Sequence, residues 1–181
     1  MLNTILKYGV IAGVVVGAWM FATFLGFGGI PPLEYGMLIG YAGMLLALAA
    51  MFFGIRRHRD RERGGALGFW PAFGIGVGIS LVASVIYVVS WEALQAFTGM
   101  DFAGEYSSAL LEAERAKGSS AEALAKMAAD FEGFKVQYAD PMFRLPMTFM
   151  EIFPVGVLVS LIAAALLRRR SVSPAEPAAV R

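Results

Sequence analysis

The sequence predicts an all-α integral membrane protein of four transmembrane helices, with an extracytoplasmic helical hairpin between helices three and four. Three observations carry that reading. Hydrophobic residues make up 58% of the 181 and charged residues only 16%, against roughly 45–50% and about 25% in soluble domains, and mean hydropathy is +0.65. The apolar residues gather into four continuous uncharged stretches instead of alternating every second residue, which argues for helices and against a membrane barrel. The charge lies between those stretches, basic in one link and acidic in the next. The same composition excludes a solvated globular enzyme and a disordered chain.

The spans follow from where ionised side chains are absent, since a charge at bilayer depth is costly. Tyr8 to Leu33 gives 26 uncharged residues, Tyr35 to Ile55 gives 21 and Gly64 to Trp91 gives 28. The fourth stretch, Ile152 to Leu167, has only 16 and has to reach back through Glu151 to about Met147. Because roughly 20 helical residues cross a core of about 30 Å, the helices are expected near 5–27, 34–55, 69–91 and 146–167. The first is read as an uncleaved signal anchor, its apolar core of about 20 residues exceeding the 7–15 of a signal peptide. Trp70 and Trp91 bracket the third span about 31 Å apart at 1.5 Å per residue, the spacing of aromatic anchors at two interfaces. Trp19 falls inside the first span and is expected against a neighbouring helix.

Charge asymmetry sets the orientation. The link after helix two, Arg56-Arg57-His58-Arg59-Asp60-Arg61-Glu62-Arg63, is net +3, and helix four ends in Arg168-Arg169-Arg170. The third link, Glu92 to Asp140, holds nine acids and four bases. The positive-inside rule then places both termini and the Arg link in the cytoplasm of a bacterial inner membrane. These eight arginines are read as topology and lipid-headgroup anchors, and His58 as a solvated bystander.

Between helices three and four, residues 99–140 are polar with helical periodicity. Phe102, Tyr106, Ala109, Leu110 and Ala113 form one stripe, and Leu124, Met127, Ala128, Phe131, Phe134 and Tyr138 another. Gly118 separates them, and Ser119 with Glu122 has capping-box spacing. The apolar side of this hairpin is expected on the membrane surface, on the span mouths or on a partner. Residues 1–170 read as one four-helix membrane domain, and 171–181, SVSPAEPAAVR, as a disordered cytoplasmic tail.

Gly9, Gly13 and Gly17, then Gly36 and Gly40, then Gly74 and Gly78 recur at four-residue spacing, and Gly156, Ser160 and Ala164 give a weaker version. Small residues at that spacing let helix backbones approach closely. They are expected to pack the bundle, and the same faces suit a homo-oligomer. Gly74-Ile75-Gly76-Val77-Gly78 lies within a span and lacks the strand–turn–helix context of a nucleotide loop. With no Cys and one His, no metal site, cofactor or catalytic set is expected. Net charge of +1 points to no nucleic-acid partner.

Glu151 is the most suggestive single residue: an acid inside helix four, three positions before Pro154, whose missing N–H frees the Met150 carbonyl. Such an acid either binds a cation, relays a proton or holds a cationic substrate, or lies near the headgroups, hydrogen-bonded or paired with Arg144 two turns earlier. Glu34 and Glu92 stand at other outer span ends, where convergence on Glu151 competes with plain exposure.

Gly54-Ile55-Arg56-Arg57-His58-Arg59-Asp60, Gly64-Gly65 and Phe69 to Phe73, with Tyr138, Asp140-Pro141-Met142-Phe143-Arg144, Thr148 to Gly156 and Leu158 to Leu161, resemble a bacterial membrane-protein family of unknown function, DUF4199. The resemblance implies a four-span inner-membrane protein and brings no reaction, ligand or catalytic residue with it. The expected function is therefore a structural, assembly or interaction protein and not an enzyme, with membrane lipids and a membrane or periplasmic protein as partners. The alternative is an oligomeric transporter or channel for an ion, small cation or lipid that uses Glu151.

Overall fold

The computed structural model describes residues 1–168; Arg169, Arg170 and the expected tail at 171–181 lie outside the described residues. Six helices follow in order among the described residues: α1 (Leu2–Phe27), α2 (Leu33–Glu62), α3 (Phe69–Thr98), α4 (Phe102–Ala116), α5 (Ala121–Ala139) and α6 (Pro141–Leu167). Helices α1, α2, α3 and α6 are long and apolar enough to cross a membrane, as a multi-pass membrane protein requires. Their outward faces carry Leu38, Leu45, Val85, Val89, Leu158 and Leu166, all exposed, an apolar belt far larger than a soluble monomer tolerates.

The helices outrun the uncharged stretches that announce them. α2 continues through the expected Arg link to Glu62, because Arg and Glu are good helix formers and Arg56–Asp60 and His58–Glu62 pair one turn apart. The turn is left to Gly64 and Gly65, at φ 59° and 87°, a left-handed backbone that glycine adopts without strain. α3 runs seven residues past Trp91. α6 starts at Pro141, with the Asp140 Oδ1 accepting from Met142 N at 2.9 Å, and it continues through Pro146 and Pro154. The cap of α5 is Ser120, whose Oγ accepts from Ala123 N; Ser119 instead donates to Glu114, so the Ser119–Glu122 capping box does not form.

Close packing is organised on α3. A Cβ at Gly9 would meet Val82, at Gly13 Ile86 and at Gly17 Ser90, while one at Gly78 would meet Ile5. Each partner advances four positions with the glycines, so α1 and α3 run parallel. Gly76 faces Ser160 and Gly156 faces Ser80, the crossed order of an antiparallel α3–α6 pair. Gly43 and Gly54 of α2 receive Trp19 and Tyr8 of α1; the Trp19 ring, seated on Gly43 as expected of a packed residue, donates from Nε1 to the Ile39 carbonyl at 3.0 Å. Two apolar clusters result. One, at the end away from α4 and α5, joins Leu48, Met51, Ile55, Ile75, Ile79 and Ala164. The other, beneath α4 and α5, joins Val16, Met20, Met44, Tyr87, Trp91 and Ile152.

Three of the glycines expected to pack do not. Gly40 and Gly74 meet no heavy atom within 4 Å, and Gly36 only the Pro31 carbonyl at 3.9 Å. Gly13→Ala should therefore destabilise the bundle by about 1–3 kcal/mol, since Ile86 Cβ, 2.6 Å away, is a stiff branched atom and overpacking costs that much. Gly74→Ala should be neutral or gain up to about 1 kcal/mol of helix propensity. Thermal unfolding of the two variants in detergent micelles reads the difference.

Candidate functional site

Because α3 holds α1 and α6 closely, α2 is the helix with room to stand away. It meets α6 in the half away from α4 and α5, where Ser160 Oγ lies 3.2 Å from Met51 Sδ and Arg59 Nη1 donates to the Leu167 carbonyl at 3.2 Å. Toward α4 and α5 the two helices part, and a cavity of about 540 Å³ fills the gap. Gly36 and Gly40 line it, which is why nothing packs on them. α1 contributes Trp19, Met20 and Phe24, α3 Tyr87 and Trp91, and α6 Met147, Thr148 and Glu151. Phe102, Tyr106 and Leu110 of α4 with Phe134 and Tyr138 of α5 form its roof. The exposed members of the lining include Met37 and Tyr41 on α2 and Met147 and Glu151 on α6, so the mouth opens sideways between those two helices.

Among the described residues, Glu151 is the one charged side chain lining this space. Its Oε2 accepts from the Tyr87 hydroxyl at 3.2 Å. It stands seven residues after Arg144, about 10 Å further along the helix, and the expected Glu151–Arg144 pair does not form. Arg144 turns the other way and holds Glu92 with a two-pronged fork, Nε to Oε1 at 2.7 Å and Nη2 to Oε2 at 2.6 Å. Its Nη1 donates to the Tyr138 carbonyl at 3.1 Å, and its guanidinium lies 5.6 Å from the Tyr138 ring centre. Helical side chains lean toward the N-terminus of their helix, which carries Arg144 away from Glu151 and toward the end of α5.

The same junction fixes the roof. Trp91 Nε1 donates to the Tyr138 hydroxyl at 2.7 Å, and the Phe102 ring stands edge-on to Trp91 at 4.9 Å. Trp91 is only 6% exposed, so it is not the interfacial anchor its spacing from Trp70 implies; Trp70, 73% exposed, fits that role. Burial pushes the Tyr138 hydroxyl up to about 12, keeping it neutral and able to accept from Trp91. α4 and α5 thus lie over the span mouths, with Phe102, Tyr106, Leu110, Phe134 and Tyr138 of the sequence stripes facing the cavity.

The acids do not converge. Glu92 is consumed by Arg144, and Glu34 is exposed at the start of α2 and outside the lining. Among the arginines, Arg56, Arg57, Arg61, Arg63 and Arg168 are exposed, as headgroup anchors should be. Arg59 is not one of them: it is 8% exposed, and its bond to the Leu167 carbonyl satisfies the open C-terminal end of α6. His58 is equally misjudged as solvated. It is 2% exposed, with Nδ1 2.8 Å from Glu62 Oε2 and 3.3 Å from Thr4 Oγ1, and it ties α1 to the end of α2. Among the described residues no group of acids, His or Cys is arranged to hold a metal.

Tyr87, Tyr41 and Trp91 are site residues that span counting passes over, because an aromatic in an apolar run has no signal that separates core from cavity wall. Tyr87 had one usable cue, a hydroxyl near the middle of a span that needs a partner.

A family model described as a protein of unknown function, DUF4199, matches residues 7–169. No curated protein and no solved structure matches the chain.

The fork should prove cooperative. In a double-mutant cycle of Glu92→Gln and Arg144→Gln, the coupling is expected at about 1–2 kcal/mol, the scale of a charged hydrogen-bonded pair discounted for partial exposure. Thermal melts give the coupling. Limited proteolysis at the Gly118 turn should accelerate in each single variant as the roof loosens.

Proposed function

The chain belongs to the DUF4199 family of proteins of unknown function, and on that premise we propose that it is a multi-pass membrane protein that takes an amphiphile from the surrounding bilayer into the cavity beneath α4 and α5. The cavity itself carries the reading. Protein interiors pack to a density of roughly 0.75 with few voids larger than a water, whereas this one leaves about 540 Å³, within the range of about 300–1,000 Å³ typical of small-molecule sites. Its walls are aromatic and thioether side chains with a single carboxylate, and its mouth opens sideways, where a spanning protein meets lipid tails. A bundle with a purely structural role gains nothing from Gly36 and Gly40 at this wall, because larger side chains there would fill it.

The role is one of binding and handling, not of catalysis. The basic ends of α2 and α6 support a cytoplasmic position for that side of the bundle, and the acidic α4–α5 segment an extracytoplasmic one. The cavity then draws on the outer leaflet of a bacterial inner membrane. A conducting channel suits the observations less well, since the cytoplasmic half is packed by Leu48, Met51, Ile55, Ile75 and Ile79. An assembly role keeps one supporting observation: Val136 and Met142, 76% and 80% exposed on the outer side, suit contact with a periplasmic partner.

Gly40→Leu tests the binding role without disturbing a contact. The variant should melt no lower than the parent, yet lose the amphiphile adducts that native mass spectrometry finds on protein extracted from its own membranes. Identical adducts on both proteins, or none on the parent, would sink the reading. Orientation has its own test, because the chain has no Cys. In intact cells Ser119→Cys should react with a membrane-impermeant maleimide and Arg61→Cys only after lysis; the reverse pattern inverts the topology.

A further inference from the structure

Resting on the amphiphile-binding reading above, we propose that the headgroup this cavity takes is a monocation of the ammonium type, held by the Glu151 carboxylate beside the Tyr87 ring. Glu151 is the only charged residue of the lining among the described residues. The cation nearest to it in sequence is already engaged: Arg144 directs two donors to Glu92 and a third to the Tyr138 carbonyl. Glu151 itself receives one hydrogen bond, from Tyr87, although a carboxylate has acceptor room for about four. The remaining capacity faces the cavity.

The Tyr87 ring, whose hydroxyl touches Glu151 in the same cavity, reinforces that demand. Aromatic faces attract a cation within about 6 Å of their centres, and aromatic cages with a nearby acid are the chemistry that recognises alkylated ammonium groups. An anionic head entering here meets a like charge and no free cationic donor among the lining residues. A neutral head leaves the carboxylate without a counter-charge in a space walled by apolar atoms, where an unpaired charge is costly. A monocation neutralises Glu151 and leaves no excess. Its chain lies against the apolar wall of Met37, Gly40 and Tyr41 across the cavity from Glu151, so the ligand is an amphiphile and not a bare amine.

Binding can be read from the protein's own tryptophans, because Trp19 and Trp91 both line the cavity and Trp70→Phe removes the third, exposed one. In maltoside micelles that background is titrated with probes sharing a twelve-carbon chain: dodecyltrimethylammonium, dodecanol and dodecyl sulfate. The expected result is saturable quenching by the cation at least about tenfold tighter than by dodecanol, with none by the sulfate. Glu151→Gln should bring the cation to within about twofold of dodecanol while leaving dodecanol unchanged. Glu34→Gln, which removes an exposed acid outside the lining, should retain the preference for the cation, and unchanged dodecanol binding guards against a folding artefact in the first variant. Butyltrimethylammonium, carrying the head without the chain, separates a bilayer amphiphile from a soluble amine and should bind at least about tenfold more weakly than its long-chain counterpart.

Equal binding of cation and dodecanol by the parent, or an unchanged preference in Glu151→Gln, overturns the cationic headgroup and leaves the amphiphile reading standing. Butyltrimethylammonium binding as tightly as the long-chain cation overturns the bilayer source. If no twelve-carbon probe gives saturable quenching, the amphiphile reading falls and the headgroup assignment with it.

Discussion

The close approach of α3 to its two neighbours is the constraint from which the remaining architecture follows. Lipid tails are as apolar as leucine, so helices in a bilayer associate through contact and hydrogen bonding, with no gain from leaving water. Glycines at the α1–α3 contact and the reciprocal Gly76–Ser160 and Gly156–Ser80 contacts between α3 and α6 bring three backbones together along their length. The serine hydroxyls are satisfied within their own helices, Ser80 on the Gly76 carbonyl and Ser160 on that of Gly156, so the small residues bring no unpaired polar atom with them. With three helices committed, α2 is fixed at its far end by Met51, Ile55 and Arg59 and is free to diverge at the other.

That divergence makes a space, and the charge arrangement gives the space its character. A fork between Glu92 and Arg144 joins α3 to α6 and aims the arginine at the end of α5, where Trp91, Phe102 and Tyr138 lock the two shorter helices in place. One acid and the only base near it are thereby removed from the electrostatics of the cavity. Glu151 is left without a cationic partner within a helix long and apolar enough to span a membrane, where an ionised side chain is costly. A lone carboxylate on a surface that other residues leave open is what the proposed ligand would answer, in a way that the same residue in a salt bridge would not.

The spans were legible in the sequence because the absence of charge over twenty residues has one physical meaning. Their ends were not. The same absence cannot say where a helix stops, and α2 carries on through Arg56 to Glu62 because arginines and glutamates are as content in a helix as leucines are. The four-residue glycine spacing was legible as a face without side chains and no further: Gly13 and Gly40 have the same signature, and only the position of a second helix decides that one is a contact and the other a cavity wall. Arg144 and Glu151 share a helix face, but reach along a helix is directional and the better partner came from α3. Trp91 sat at an interfacial distance from Trp70, and the roof that covers it lies outside anything its own span could reveal. His58 and Arg59 were lost in a run of like residues, where composition reports the average and burial picks individuals.

The two halves of the bundle differ in a way that bears on mechanism. Beneath α4 and α5 the packing is open, roofed by rings and a hydrogen-bonded tryptophan. At the opposite end it is closed by apolar side chains and by ties between helix ends, Thr4 to Glu62 and His58 on one side and Arg59 to the Leu167 carbonyl on the other. A ligand entering sideways between α2 and α6 therefore meets a closed floor, and the charged group it meets at the mouth is Glu151. Passage to the far side would require Leu48, Met51 and Ile55 to leave Ile75 and Ile79, breaking contacts among fully buried side chains and releasing a buried arginine from its carbonyl. Exit by the same lateral mouth breaks none of these. A cavity closed at that end fits the binding role proposed above, and conduction would need a second conformation in which the ties around Arg59 and His58 are undone.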